Sequence, residues 1–262
     1  MSLSATPTLP EILDEVDETL PHTFPSTKTN WLYGGPPLVF PTSFANKTRI
    51  KLLDTQEVSS PGSTVNFTGM DCGDTTTGRM LYAVIGLVGT SGGSHSVSAQ
   101  PTINGVGATA DAAWSTHTDG NTCIVSVAGL NDTTTLGLNG SAQLVTADGT
   151  ITTAFCALFA AYDTEQLSPA HRHAGTTGTS LVTSIANAVN VPARGQILSA
   201  IMTRHTEVVS LSGLENRHQF TVGTGSLVIG YDSLQSLDAS KNVSFSWTTA
   251  INSVLSVHAR AN

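Results

Sequence analysis

The sequence predicts an all-β protein: an antiparallel β-sandwich, jelly-roll-like or immunoglobulin-like, preceded by an extended arm that carries one short amphipathic helix. Three observations predict it. Only 11% of the 262 residues are charged, against about 25% in an ordinary globular protein, and 38 Thr, 28 Ser and 24 Gly take up the difference. Thr is β-branched and suits a pleated strand, while Ser and Gly suit tight turns, so this bias favours many short strands. From about residue 49 onward, apolar runs alternate with turn clusters at the spacing of a sandwich or barrel. Hydrophobic content of 39% and a mean hydropathy of +0.07 exceed those of a disordered Ser/Thr tract, so the body folds.

The arm spans residues 1 to 48. Thr8 and Glu11 make a capping box, in which the hydroxyl and the carboxylate each satisfy a backbone N–H left open by the first helical turn. Pro10 fits that turn, where a missing N–H costs nothing. Leu9, Ile12, Leu13, Val16 and Leu20 fall on one stripe of a helix over residues 9 to 20, and Pro21 ends it. A helix of this length is marginal alone in water. It needs a groove, either on its own β-domain or on a partner. The partner is favoured by the following stretch, where Pro21, Pro25, Pro36, Pro37 and Pro41 keep the chain extended. Within that tether lie Trp31, Tyr33 and Phe40, which call for a receiving surface, since leaving each in water forfeits about 1.5 to 3 kcal/mol.

The body, residues 49 to 262, reads as one β-sandwich domain. The clearest strand-like runs are 49–53, 64–68, 80–88, 97–103, 123–128, 152–162, 196–205, 219–222, 226–231, 242–247 and 254–259. Two of them, MLYAVIGLV and ITTAFCALFAAY, are apolar at consecutive positions, which marks central strands covered on both faces, by the chain itself or by a neighbouring subunit. Ser244-Phe245-Ser246-Trp247 alternates, so one of its faces is solvated. Leu181 to Val189 carries a weak helical periodicity that Asn187 and Asn190 interrupt. The chain holds no heptad and no short repeat.

Phe67-Thr68-Gly69, Asp71 and Gly73, Arg79 opening an apolar strand, and the segment from Thr102 to Ala108 together resemble β-domain structural proteins of tailed bacteriophages, prophages and gene transfer agents. Val191-Pro192, Gly195 to Leu198 and Phe245-Ser246-Trp247 are similar to the remaining strands of that domain. The resemblance covers roughly residues 60 to 260 and implies a virion component: a spike, decoration or fibre-attachment protein of the head or tail. Its partners would be capsid, portal or tail proteins, and its location the virion. The first 60 residues depart from that pattern and look like an added docking arm.

Several chemistries find no support. Net charge is −8, with Asp14, Glu15, Asp17 and Glu18 on the polar face of the helix and no cation before Lys28, which argues against nucleic acid and anionic membranes. No run reaches the about 18 apolar residues of a membrane span, and Met1-Ser2-Leu3 lacks the basic and apolar regions of a signal peptide. Cys72, Cys123 and Cys156 are odd in number and lack paired spacing, so buried free thiols are expected. His171-Arg172-His173 sits in what reads as a loop, with a cation between the rings, which speaks against zinc. Asp71-Cys72-Gly73-Asp74 lacks the ligand run of a calcium loop and reads as an Asx turn. Gly89-Thr90-Ser91-Gly92-Gly93 follows a strand, yet no helix follows it, so it is not a nucleophile elbow. No pair of carboxylates stands in aromatic surroundings. We therefore expect a non-enzymatic protein without cofactor or metal. The poverty of charge leaves much surface for other subunits, which points to a homo-oligomer. A host glycan is the alternative partner, with Trp114, Trp247 or Tyr231 stacking on sugar faces.

Overall fold

The computed structural model describes residues 49–76, 78–89, 97–116, 122–147, 151–162, 164, 171–177, 181–191, 195–234, 238–251 and 253–260, all within one compact unit, Asn46–Asn262. The arm residues Leu9, Ile12, Leu13, Val16, Leu20, Trp31, Tyr33 and Phe40 lie outside the described residues. What is described is nearly all β, with one 3-10 turn at Gly137–Asn139.

Among the described residues, seventeen strands form four antiparallel sheets. The first sheet has the order β1 (Arg49–Ser59), β9 (Ile151–Tyr162), β3 (Met80–Gly89), β7 (Thr122–Asn131) and β6 (Thr109–Thr116). The second holds β2 (Thr64–Met70), β8 (Gly140–Val145), β4 (Thr102–Ile103) and β5 (Val106–Gly107). The third runs β10 (His171–Thr177), β17 (Ser253–Arg260), β12 (Gln196–Thr203), β15 (Gly225–Ser233) and β14 (Asn216–Val222). The fourth is β11 (Val182–Val191), β16 (Asp238–Ile251) and β13 (Ser210–Ser212).

These sheets stack in four layers, because three separate apolar cores lie between them. In β3, Leu81, Ala83, Ile85 and Leu87 join Val65, Phe67 and Leu144 of the second sheet, while Tyr82 and Val84 join Leu198, Met202 and Leu227 of the third. Successive side chains leave a strand on opposite faces, so a strand buried on both must be apolar at every position. That is the cause of the two long apolar runs. β3 and β9 are indeed central, and their cover comes from the chain itself. Core three places Ile197, Ile201 and Val228 of the third sheet against Ile185, Val189, Phe245 and Trp247 of the fourth. The outer sheets alternate as expected, with Val243, Phe245 and Trp247 buried on β16 while Asn242, Ser246 and Thr248 are exposed.

One weak periodicity is resolved and one expectation is overturned. Val182–Val191 form a strand, because Ile185, Val189 and Val191 are buried at even spacing against Phe245 and Val243; period two wins over the faint helical pattern, and β-branched Val182, Thr183 and Ile185 favour it. His171-Arg172-His173 opens β10, paired with Ala259, His258 and Val257, and is not a loop.

The four sheets repeat one plan. Strands β10, β11, β12, β13, β14, β15, β16 and β17 occupy, in order, the positions of β1, β2, β3, β4, β6, β7, β8 and β9, and every neighbour relation in the third and fourth sheets reproduces one in the first and second. Across the middle seam, β6 and β7 lie against β10, β12 and β17, whereas β14 meets β3 and β9, and β15 meets β1 and β3. The facing order is thus reversed, as a half-turn about a line parallel to the strands requires. Like ends coincide: Tyr82 Oη donates to Gln196 Oε1 at 2.8 Å near the start of β3 and β12, and Arg204 Nη1 donates to the Gly89 carbonyl at 3.1 Å at their far ends.

One end, here the base, holds Arg49 opposite Tyr162, Met80 opposite Ala161 and Asn131, and Arg260 opposite Gln196. At the other end, the tip, Ser59 faces Thr153 and Thr203 faces Ser226 and Ser253. The chain therefore enters the body, crosses between its halves and leaves it at the base.

Candidate docking site at the base

At the base of the first half, three connections are locked together around one cation. Asp71 Oδ1 accepts the Gly73 N–H at 2.8 Å, the Asx turn that the sequence predicts, and Gly73 takes φ of +64°, which a side chain would resist. Between β4 and β5, Asn104 and Gly105 both have positive φ, 51° and 74°, the pairing that a two-residue hairpin turn requires. The third connection, 132–139, begins with Asp132, whose Oδ1 accepts the N–H groups of Thr134 and Thr135 at 2.9 and 3.0 Å.

Arg79 joins them. Its side chain is fully buried, and its guanidinium donates to the carbonyls of Asp132, Cys72, Asp74 and Thr135 at 2.8, 2.9, 2.9 and 2.6 Å. The Asp132 carboxylate is 3.7 Å from Nη2. Asn104 donates through Nδ2 to Asp132 Oδ2 and Thr135 Oγ1 and accepts the Ser141 N–H through Oδ1. A rigid planar fork with five donors fits converging carbonyls in a way that a Lys ammonium does not.

Electrostatics follow from this wiring. Partial burial pushes the Asp132 carboxyl up, but the Thr135 and Thr134 amides, the Thr135 hydroxyl and Asn104 outweigh it and hold the group well below the usual carboxylate range. Burial pushes the Cys72 thiol up, against the opposing pull of Asn104 and Arg79. It is thus a packed thiol, not a nucleophile. Among the described residues, no three His, Cys, Asp or Glu side chains gather as metal ligands do.

The clasp fixes the turn at 136–139 from beneath. Cys72 N–H donates to the Gly137 carbonyl at 2.8 Å, and Asn139 Nδ2 donates to the Leu136 carbonyl at 2.8 Å. Held on this frame, Leu136 and Leu138 are 53% and 71% exposed, and Val106, just past the Asn104-Gly105 turn, is 55% exposed. Large aliphatic side chains displayed on a rigid frame at the base are the most distinctive surface feature of this half.

Other predicted residues fall elsewhere. Trp247 is buried in core three, and Tyr231 is packed in the seam, its ring 5.8 Å from His218 and 5.3 Å from Phe159. Trp247 offers no free face to a sugar, because an apolar ring next to a large core gains more by joining it, and Tyr231 is half-buried with its ring stacked on His218. The Trp114 side chain and Ser91 lie outside the described residues. Cys72, Cys123 and Cys156 are buried and free. The base residues were visible in part: Arg79 is a lone cation against an apolar strand in a chain with few charges. Leu136 and Leu138 gave no signal, since two leucines between threonines and glycines look like any turn. The chain matches no family model, no curated protein and no solved structure.

Proposed function

We propose that this chain is a non-enzymatic structural protein of a bacteriophage-type virion, an appendage of head or tail fastened through its amino-terminal arm. Its body is read as two β-sandwiches in jelly-roll strand order, fused back to back. The observation that carries this reading is that the arm joins the body at Arg49, at the base, where the chain also leaves through Arg260, so the tip with its strand connections is free to point away from an anchoring surface. Support comes also from the charge-poor body and from the sequence pattern of the arm, a capping box on an acidic amphipathic stretch followed by an aromatic, Pro-rich run. Oligomerisation and contacts with capsid, portal or tail proteins belong to the same reading.

Deleting residues 2 to 45 tests it. Particles made in the presence of the truncated chain should lack it, by gel or mass-spectrometric copy number, while the truncated protein remains soluble and folded. Incorporation at the normal copy number refutes the anchoring role.

A second reading, attachment to a host glycan or receptor, draws on the same geometry, because the longest connection in the first half, residues 90–101, leaves β3 at the tip. Trp114 on β6 is the aromatic residue left to it. Loss of glycan-array binding on Trp114→Ala would promote this reading over the first, and a wild-type chain that binds no glycan would remove it.

A further inference from the structure

We propose that Leu136, Leu138 and Val106 form a second contact with the particle protein that receives the arm; this rests on the anchoring reading above. Three observations select that occupant.

The first is position. The chain enters at Arg49, whose neighbours across the first sheet, Tyr162, Met80 and Asn131, lie at the same level, and residue 132 begins the connection that bears the two leucines. β1 and β7 are three strand steps apart in that sheet, about 14 Å. Gly73, against which the turn is held, itself lies against Leu53 of β1 and Tyr162 of β9. The chain that leads to the arm thus starts from the body at the same level as the turn that bears the leucines.

The second is preorganisation. Apolar side chains that must be ordered on binding lose part of the gain. Here the backbone beneath them is already fixed, by Arg79 on the Thr135 carbonyl, Cys72 on Gly137 and Asn139 on Leu136. The segment from Thr133 to Gly140 carries no charge, so docking would strip water from no ion.

The third is size. Three side chains fall far short of the about 800 Å² per partner that a self-standing interface needs. Two copies of a chain with net charge −8 would not hold together through so small a patch. A tethered contact needs less, because the arm raises the local concentration of the second site and even a weak contact then multiplies overall affinity. The favoured partner surface is apolar and uncharged, or basic at its rim, where Asp74 lies exposed beside the turn.

The experiment is a competition in particles. Full-length wild type and a full-length variant carrying Leu136→Ser and Leu138→Ser, each with its own tag, are co-expressed during assembly, and their ratio in purified particles is compared with that in the lysate. A chain deleted for residues 2 to 45 is run in parallel. Because the leucines are exposed, the variant should melt with the wild type; a Val106→Ser chain provides an independent second probe. Expected is depletion of the double-serine chain by about tenfold or more in particles, as for loss of two anchoring side chains, and near-complete loss of the arm-deleted chain. Equal incorporation of the double-serine and wild-type chains, with the arm-deleted chain excluded, overturns the second contact and leaves the anchoring reading standing. Normal incorporation of the arm-deleted chain refutes that reading, and the patch is then judged alone by the double-serine ratio. A double-serine chain that enters particles normally but sediments as a smaller oligomer makes a second copy the occupant and overturns the proposal.

Discussion

Replacing Arg79 should cost more than any other single change at the base, and the structure lets the cost be worked out. The side chain is fully buried and makes four hydrogen bonds to carbonyls from two connections, 71–79 and 132–139, and Asn104 ties the second of these to the β4–β5 turn. Met fills the volume of the stem but donates nothing. Each lost bond from a charged donor is worth about 1.5 to 3 kcal/mol, yet carbonyls near the base regain water, so the four do not add. The better guide is the removal of one partner of a buried ion pair, about 3 to 5 kcal/mol, which is a large share of a stability of about 5 to 15 kcal/mol. Arg79→Met should therefore lower the urea midpoint of the full chain sharply, read by far-ultraviolet circular dichroism. Arg79→Lys should fall between, since an ammonium keeps the charge but cannot reach carbonyls on several sides. A cycle with Asp132→Asn should show coupling of about 0.5 to 3 kcal/mol. A midpoint for Arg79→Met equal to wild type, or Arg79→Lys equal to wild type, refutes the idea that fork geometry holds the three connections.

Other outcomes follow from the same structure. The folded state holds the Asp132 carboxyl below its ordinary range, so its contribution is complete above the unfolded value of about 3.9 and is lost as pH falls below that; Asp132→Asn should flatten the thermal-midpoint profile between about pH 5 and pH 3. Burial lowers the His218 value, so the fold favours the neutral ring, and stability should fall as pH drops below about 6.5; His218→Phe, which preserves the stack, should remove that slope. Gly213 has φ of +91°, and an added Cβ would overlap the Asn242 carbonyl oxygen, so Gly213→Ala should destabilise by more than the about 1 kcal/mol of a tolerated exchange, seen as a lower melting temperature. Burial pushes the Cys123 thiol up to about 12 and Cys156 higher still; native protein should resist iodoacetamide at all three cysteines, and mass spectrometry should find three adducts only after urea.

How much of this was legible in the sequence follows element by element. β3 and β9 stood out because burial on both faces leaves no polar position, and β16 because its buried and exposed residues alternate. β8 and β10 did not: GSAQLV and HRHAGTT are polar or small at most positions, so neither carries a clear run of β-branched or aromatic residues. β11 stayed ambiguous because one turn of a helix and a few residues of strand share apolar spacings over so short a run. The thiols were legible from composition. The base was only half legible: Arg79 and the turn residues lay in view, but their convergence joins positions 72, 79, 104 and 132, and such contacts leave no local trace.

The duplicated plan is the strongest case of structure that sequence hides, and it bears on how the body works. Two halves with the same strand order share no visible repeat, because what is repeated is register and burial, not residue identity. Even the seam departs from its own symmetry. β6 and β7 lie against β10, β12 and β17, while on the opposite side Phe155 and Phe159 of β9 pack with His218 and Phe220 of β14 and Tyr231 of β15. Phe155 and Phe220 stack at 4.8 Å there. Among the described residues Arg79 is the one fully buried cation, and it holds the clasp of the first half. The same strand order thus frames both halves, and the clasp lies at the base of the first, where the arm begins. If that base is the anchoring face, its rigidity is what selection would preserve, and loss of the clasp should weaken particle incorporation through Leu136 and Leu138 at temperatures where the rest of the body is still folded.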